Sequence, residues 1–364
     1  MKIPNIRKLL RAGTSATVVG VAPSTSVPSL TSIVTGVPPF EHGLEAEDHT
    51  IAPAAIKVPT LWQAAAANHL KVAAINWPAT LGAQLALNFP DYRPTGSSKT
   101  VEFAPIAEKA NPTGVADQVE KMFPGFEKQV WDDSSSAQAA IWALATEKPD
   151  LLLVRFGELG SEQRDTGALS VYARDILANE DDLIGQILAK APPSTVTAIV
   201  SGHGFENRNY VVRPHSMLRN PAVQVENGLI GALDETSAAS LRTLLKDGRN
   251  HGLSREVPIS EVRAYCPALA RWVAAFDTKP NYFARDETRG PALGPGDHLA
   301  GDGLWPTRPN YRSLFVVAGP GIEAKKAGEI DLLQIAPTLA EVIGVKLDRA
   351  KRSSLLTANK LANR

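Results

Sequence analysis

Short apolar runs alternate with helical patterns along most of this chain, and no other feature constrains its fold as strongly. Such alternation is the signature of a mostly parallel sheet covered by helices on both faces. Residues 14–21 (TSATVVGV) are strand-like, 59–70 (PTLWQAAAANHL) are helical with Pro59 and Thr60 suited to the start, and 71–77 (KVAAINW) form a strand again. A helical pattern at 135–148 leads into 149–159 (PDLLLVRFGEL), which reads as the clearest buried strand. A long amphipathic helix at 170–190 precedes a short buried strand at 196–201, a strand at 312–322 and a closing helix at 331–345. The chain opens on a helix, with Asn5 placed to cap residues 6–12 and Gly13 to stop it. Residues 93–103 read as a surface loop. Between 206 and 295 the alternation loosens into polar, Gly- and Pro-containing stretches. The expectation is therefore an α/β/α sandwich core of residues 1–205 and 296–364. Residues 206–295 form an inserted, cap-like, irregular α+β segment of the same domain.

Bulk properties exclude several classes. Lysine plus arginine equals aspartate plus glutamate at 38 each, which gives no reason to expect nucleic acid or an anionic membrane as the main partner. The single cysteine, Cys266, rules out an intramolecular disulfide and reads as a buried small apolar residue. No apolar run reaches the roughly 20 residues needed to span a bilayer. The first 13 residues (MKIPNIRKLLRAG) do not read as a signal peptide, since Pro4, Asn5 and Arg7 interrupt them. A complete chain would on this reading be cytoplasmic; a chain lacking an N-terminal segment would be exported.

Two stretches carry chemistry. In 197–206 (TAIVSGHGFE), apolar Ala198, Ile199 and Val200 give way to Ser201, Gly202, His203 and Gly204. A histidine between glycines at the C-terminal end of a strand is where an open α/β sheet keeps its ligands. In 22–44 (APSTSVPSLTSIVTGVPPFEHGL), hydroxyl residues cluster ahead of an apparent helix. They either cap that helix or place a hydroxyl near exposed amides that favour a phosphate oxygen. The glycines of AGPGI at 318–322 are a turn, too short for dinucleotide binding.

Taken in order, the segments PNIRKLLRAG, PSTSVPSLTSIVTGVPPFEHG, PDLLLVRFGEL, IVSGHGF, TRPNYRSLFVVAGPGI and LLQIAPTLAEVIGV resemble the alkaline phosphatase superfamily, in its type I phosphodiesterase/nucleotide pyrophosphatase branch. The resemblance implies metal-assisted phosphoryl transfer, with zinc or other divalent ions about 4 Å apart activating a hydroxyl nucleophile. It also implies a small-molecule phosphate ester or nucleotide as ligand. Ser26 falls on the nucleophile position, and Leu30 stands where many relatives have histidine. His203 falls on a metal-ligand position, but Gly202 replaces the aspartate before it. Gly160 and Arg164 occupy the aspartate and histidine positions of an Asp-x-x-Gln-His pattern, while Gln163 still matches. The last histidine ligand is His298 if four residues are inserted; ungapped alignment puts Asp302 there instead. The strand that carries the first aspartate would precede Lys2.

These substitutions leave the resemblance with two functional readings. One is a pseudoenzyme, or a truncated product, whose two-metal site is largely dismantled and binds zinc poorly or not at all. The other is a working phosphodiesterase with an altered, single-metal site around Ser26, His203 and His298 or Asp302. Arg164 would then face an anion, a neighbouring carboxylate, or merely Asp165 or Glu162 at the surface. His42 matches a position that shapes the loop after the nucleophile helix. His49, His69, His215 and His251 have no partner at ligand spacing and read as surface or satisfied core residues.

Overall fold

The computed structural model describes residues 2–94, 101–128, 130–296 and 298–356. These form a mixed α/β fold on a mostly parallel central sheet, whose strands fall into two hydrogen-bonded groups. The first has the spatial order Lys325–Asp331, Thr14–Val19, Ser313–Ala318, Thr197–Val200. Within it, Ser313–Ala318 runs against both its neighbours, and Thr14–Val19 is parallel to Lys325–Asp331. The second group, Leu87–Pro90, Val72–Trp77 and Leu151–Val154, is parallel throughout.

The period-two alternation of strand side chains sorts the core into two layers. Val72, Ala74 and Leu153 pack with Val18, Phe315 and Val317, beneath Val27, Ile33 and Val34 of helix Ser26–Thr35 and Leu61 and Trp62 of helix Leu61–Ala67. Ala73 and Ile75 face the opposite way, onto Phe103, Val119, Ala139 and Trp142. Phe89, Phe103, Phe126 and Trp131 interlock there with ring centroids 5.1–5.9 Å apart. Since strand Leu151–Val154 gives Leu153 to one layer and Leu152 and Val154 to the other, it lies between the helical layers as the α/β/α expectation requires.

Three local readings change. Leu151–Val154 and Thr197–Val200 are not buried strands, since of their residues only Leu153 is fully buried. Each is the outermost strand of its group. The bonds Leu151 N to Lys71 O (3.1 Å) and Arg155 N to Ile75 O (3.1 Å) mean that Leu152 and Val154 turn their amides away from Val72–Trp77. The bond from Ser201 N to Leu314 O does the same for Ala198 and Val200. Asn5 does not cap the first helix, Pro4–Ala12; Asp181 of helix Val171–Leu188 does so from outside. Its carboxylate accepts from Asn5 N at 3.0 Å and Ile6 N at 2.7 Å, and the Asn5 amide bonds back to it. Gly13 ends that helix for want of space rather than by a left-handed turn. Its backbone is extended at φ −128°, and a Cβ there would lie 2.1 Å from the Val317 carbonyl oxygen.

Residues 206–301 add a four-stranded antiparallel sheet (Leu253–Val257, Ala274–Thr278, Leu229–Ala232, Val223–Glu226) and two smaller sheets. Arg308 ties this region to the chain that follows. Its side chain is only 2% exposed, and the guanidinium donates to Asp277 at 2.6 Å and to Glu206 at 2.8 Å. No described helix is long and apolar enough to cross a membrane.

Candidate phosphoryl site

Helix Ser26–Thr35 begins at the end of the turn that follows strand Thr14–Val19, and helix Glu158–Thr166 begins just after Leu151–Val154. His203 follows Thr197–Val200. The fold thereby brings distant parts of the chain to one edge of the sheet. Ser26 Oγ lies 3.4 Å from His203 Nε2. His203 Nδ1 lies 3.0 Å from the Gly204 carbonyl, so that nitrogen carries the proton it donates there. Nε2 is left to accept from the Ser26 hydroxyl or, when protonated, to face Asp302 Oδ2 at 3.4 Å. Arg164 Nη2 donates to the same Asp302 oxygen at 2.6 Å. Of the partners open to Arg164 in the sequence, the one it takes is a carboxylate distant in the chain, not Glu162 or Asp165.

The two glycines behave differently. A Cβ at Gly160 would sit 3.7 Å from Arg164 Nη1, in ordinary contact. One at Gly202 would be 3.2 Å from Ser29 Cβ and 3.8 Å from Leu30, a tighter fit. Neither offers a donor atom. Gln163 is buried and accepts from Leu169 N at 3.3 Å. Asp302 is the residue brought to His203, and His298 is exposed on the preceding bend. Among the described residues no group of three or more His, Cys, Asp or Glu side chains is placed to hold a metal ion.

A second layer of charge, not legible in the sequence, lies behind Ser26. Glu47 accepts from Val27 N at 3.0 Å, so a carboxylate already caps the amide next to Ser26. Glu47 also meets His49 Nε2 at 3.3 Å, and His49 Nδ1 reaches Asp91 at 2.7 Å. Asp91 receives Arg155 Nη1 at 2.7 Å and Arg93 at 3.5 Å. Burial opposes ionisation of Asp91, yet Arg155, His49 and Arg93 outweigh it and bring its carboxyl down to about 2. Burial likewise opposes a charge on His49, but its bonds to Asp91 and Glu47 raise its pKa. His49 is therefore an ion-paired residue. Its partner Asp91 lies too far along the chain to be paired by inspection.

Of the remaining histidines, His69 is exposed, while His42, His215 and His251 have side-chain partners. His42 is fully buried, with Nε2 at 3.1 Å from Ser32 Oγ and 3.2 Å from the Pro28 carbonyl, and with Nδ1 accepting from Leu44 N. Burial lowers its pKa to about 4. His215 pairs with Asp286, and His251 with Asp247 at 3.1 Å. Cys266 is buried, and burial pushes its thiol pKa up.

The sheet, its flanking helices and the cluster at its C-terminal edge define an alkaline phosphatase-like α/β protein. The chain belongs to the type I phosphodiesterase / nucleotide pyrophosphatase family, whose model matches residues 1–268. Human ectonucleotide pyrophosphatase / phosphodiesterase 5 has a similar structure, with a TM-score of 0.63 at 15% identity over 99% of this chain and 94% of that one. The murine protein, in an inactive variant in complex with AMP, has a TM-score of 0.64 at 14% identity over 99% and 94% of the two chains. No curated protein sequence matches.

Proposed function

We propose that this chain is a phosphate-ester-binding member of its family whose two-metal centre is dismantled, so that it recognises rather than hydrolyses its ligand. The observation that carries this reading is the 2.6 Å contact of Arg164 with Asp302. A fixed cation stands where the family resemblance puts a histidine ligand, and it occupies the carboxylate that a metal would need. Gly160 and Gly202 add no donors, and His203 with Asp302 makes two ligands at most. Such a set does not fit a pair of divalent ions, which demand several anionic or imidazole donors in fixed geometry. Nucleotide as ligand follows from the family and from the AMP held by the murine neighbour.

The 3.4 Å approach of His203 Nε2 to Ser26 Oγ favours a second reading, a phosphodiesterase with Ser26 as nucleophile and His203 as its base. One experiment separates them. Metal content of the purified protein is measured alongside hydrolysis of bis(p-nitrophenyl) phosphate with zinc or manganese supplied. Background turnover and substoichiometric metal are expected. Stoichiometric metal with turnover that Ser26→Ala abolishes would overturn the pseudoenzyme reading.

A further inference from the structure

Arg208 is the one arginine at this edge of the sheet whose guanidinium makes no hydrogen bond or ion pair among the described residues. Its Nε is buried without a partner. Yet the side chain is held in place. It stacks over the Phe283 ring at 5.2 Å, and it lies across Gly301, where a Cβ would come within 2.4 Å of its Cζ. Any side chain at 301 would have to displace the guanidinium, so the fold keeps a slot for it.

That slot adjoins the Ser26 turn. Gly303 N donates to Ser24 O at 2.8 Å, which pins the loop after Gly301 to the residues ahead of Ser26. The Cβ position of Gly303 lies 3.6 Å from Thr25 Cγ2 and 3.8 Å from Arg208 Nη2, so guanidinium and turn flank one point. Arg164 bonds to the neighbouring Asp302, its guanidinium stacked over Phe205 at 5.6 Å. Asp302 contacts Arg164 and His203; it favours the charge of Arg208 at longer range, but no anion contacts that guanidinium among the described residues. A desolvated cation with free donors costs free energy unless an anion completes it.

We propose that Arg208 and Arg164 form a metal-independent clamp for a phosphoryl oxyanion beside the Ser26 hydroxyl. The proposal rests on the reading that this site binds phosphate esters, and it assigns the affinity to two guanidinium groups instead of metal ions. Arg208 supplies a free fork suited to two oxygens of a tetrahedral anion, and Arg164 the second cation, with Asp302 orienting it.

The test is calorimetric titration of the full chain with inorganic phosphate, sulfate and AMP in excess EDTA. Binding of phosphate and AMP is expected, weakened about tenfold or more by Arg208→Gln and by Arg164→Gln, because each removes a charge-assisted bond. Arg208→Lys keeps the charge without the fork, and an intermediate loss is expected. It also serves if Arg208→Gln does not fold, as judged by its unfolding midpoint. Sulfate binding as tightly as phosphate still supports the clamp and makes it a general oxyanion site. AMP binding in EDTA that none of the three variants weakens overturns the clamp while leaving the ligand reading intact. Binding that needs added zinc also overturns it. No binding with or without metal overturns both.

Discussion

Arg164 and Asp302, 138 positions apart in sequence, meet at 2.6 Å, and Asp302 faces His203 through the same oxygen at 3.4 Å. The Arg164 side chain is 40% exposed, whereas that of Arg308, paired with Asp277 and Glu206, is 2% exposed. The two arginines should therefore respond differently to removal. Arg164→Ala is expected to cost less than about 1 kcal/mol of stability, as for solvent-screened pairs. Arg308→Ala takes from buried Asp277 its close guanidinium, leaving Arg255 at 3.5 Å, and frees Glu206 as well; a loss of about 3 kcal/mol or more is expected. Urea unfolding of both variants checks the ranking, and equal losses would contradict it.

His42 makes stability pH-dependent. Its pKa is about 4 in the fold and returns to its ordinary value near 6.5 on unfolding, so the unfolded chain binds more protons between those limits. Its contribution is intact above pH 6.5 and is lost as pH falls towards 4, by about 3 kcal/mol in total. Unfolding free energies of the wild type and His42→Gln, measured from pH 8 to 4, should converge with acidification; parallel curves would refute this.

Glu180 has the opposite sign. Burial and the neighbouring Asp133 raise its pKa to about 9, so it holds a proton at neutral pH while accepting from Leu159 N at 3.1 Å. On unfolding it would release that proton, so stability falls as pH rises from about 4.5 to 9. Glu180→Gln keeps the acceptor without the titration. A higher melting temperature for the variant at pH 8, shrinking towards pH 5, is expected.

Asp181 acts as a borrowed cap. Asp181→Ala strands the amides of Asn5 and Ile6 and should cost about 1–2 kcal/mol, as lost N-caps do. Hydrogen exchange should accelerate in residues 4–12 more than in helix Val171–Leu188, and uniform acceleration would argue against a local cap.

The architecture was legible because short apolar runs alternate with helical patterns outside residues 206–295, and because Val72–Trp77 carries both faces of the core in consecutive residues. The grouping of Ser26, Arg164 and His203 came from the family resemblance of the ordered motifs. Burial misled where apolar content was read as enclosure: TAIV and LLLV are apolar, but each ends its hydrogen-bonded group. The partners of Arg164, His49 and Asn5 were hidden because ion pairs and caps depend on three-dimensional approach, with Asp302, Asp91 and Asp181 all distant in sequence. Arg208 carried no local signal; its place is defined by Gly301 and Phe283, whose proximity no spacing rule reveals.

The two strand groups give the molecule a mechanical seam. Arg164 follows Leu151–Val154 of one group, whereas His203 and Asp302 belong to chain that follows Thr197–Val200 of the other. Among the described residues no backbone ladder joins the groups, so shear between them is resisted by packed side chains and by contacts such as Arg164–Asp302. Side-chain contacts of this kind yield to small displacements that a ladder would refuse. The Ser26 cluster thus straddles that seam, so any shift of one group against the other would alter the spacing of Arg164 from Asp302.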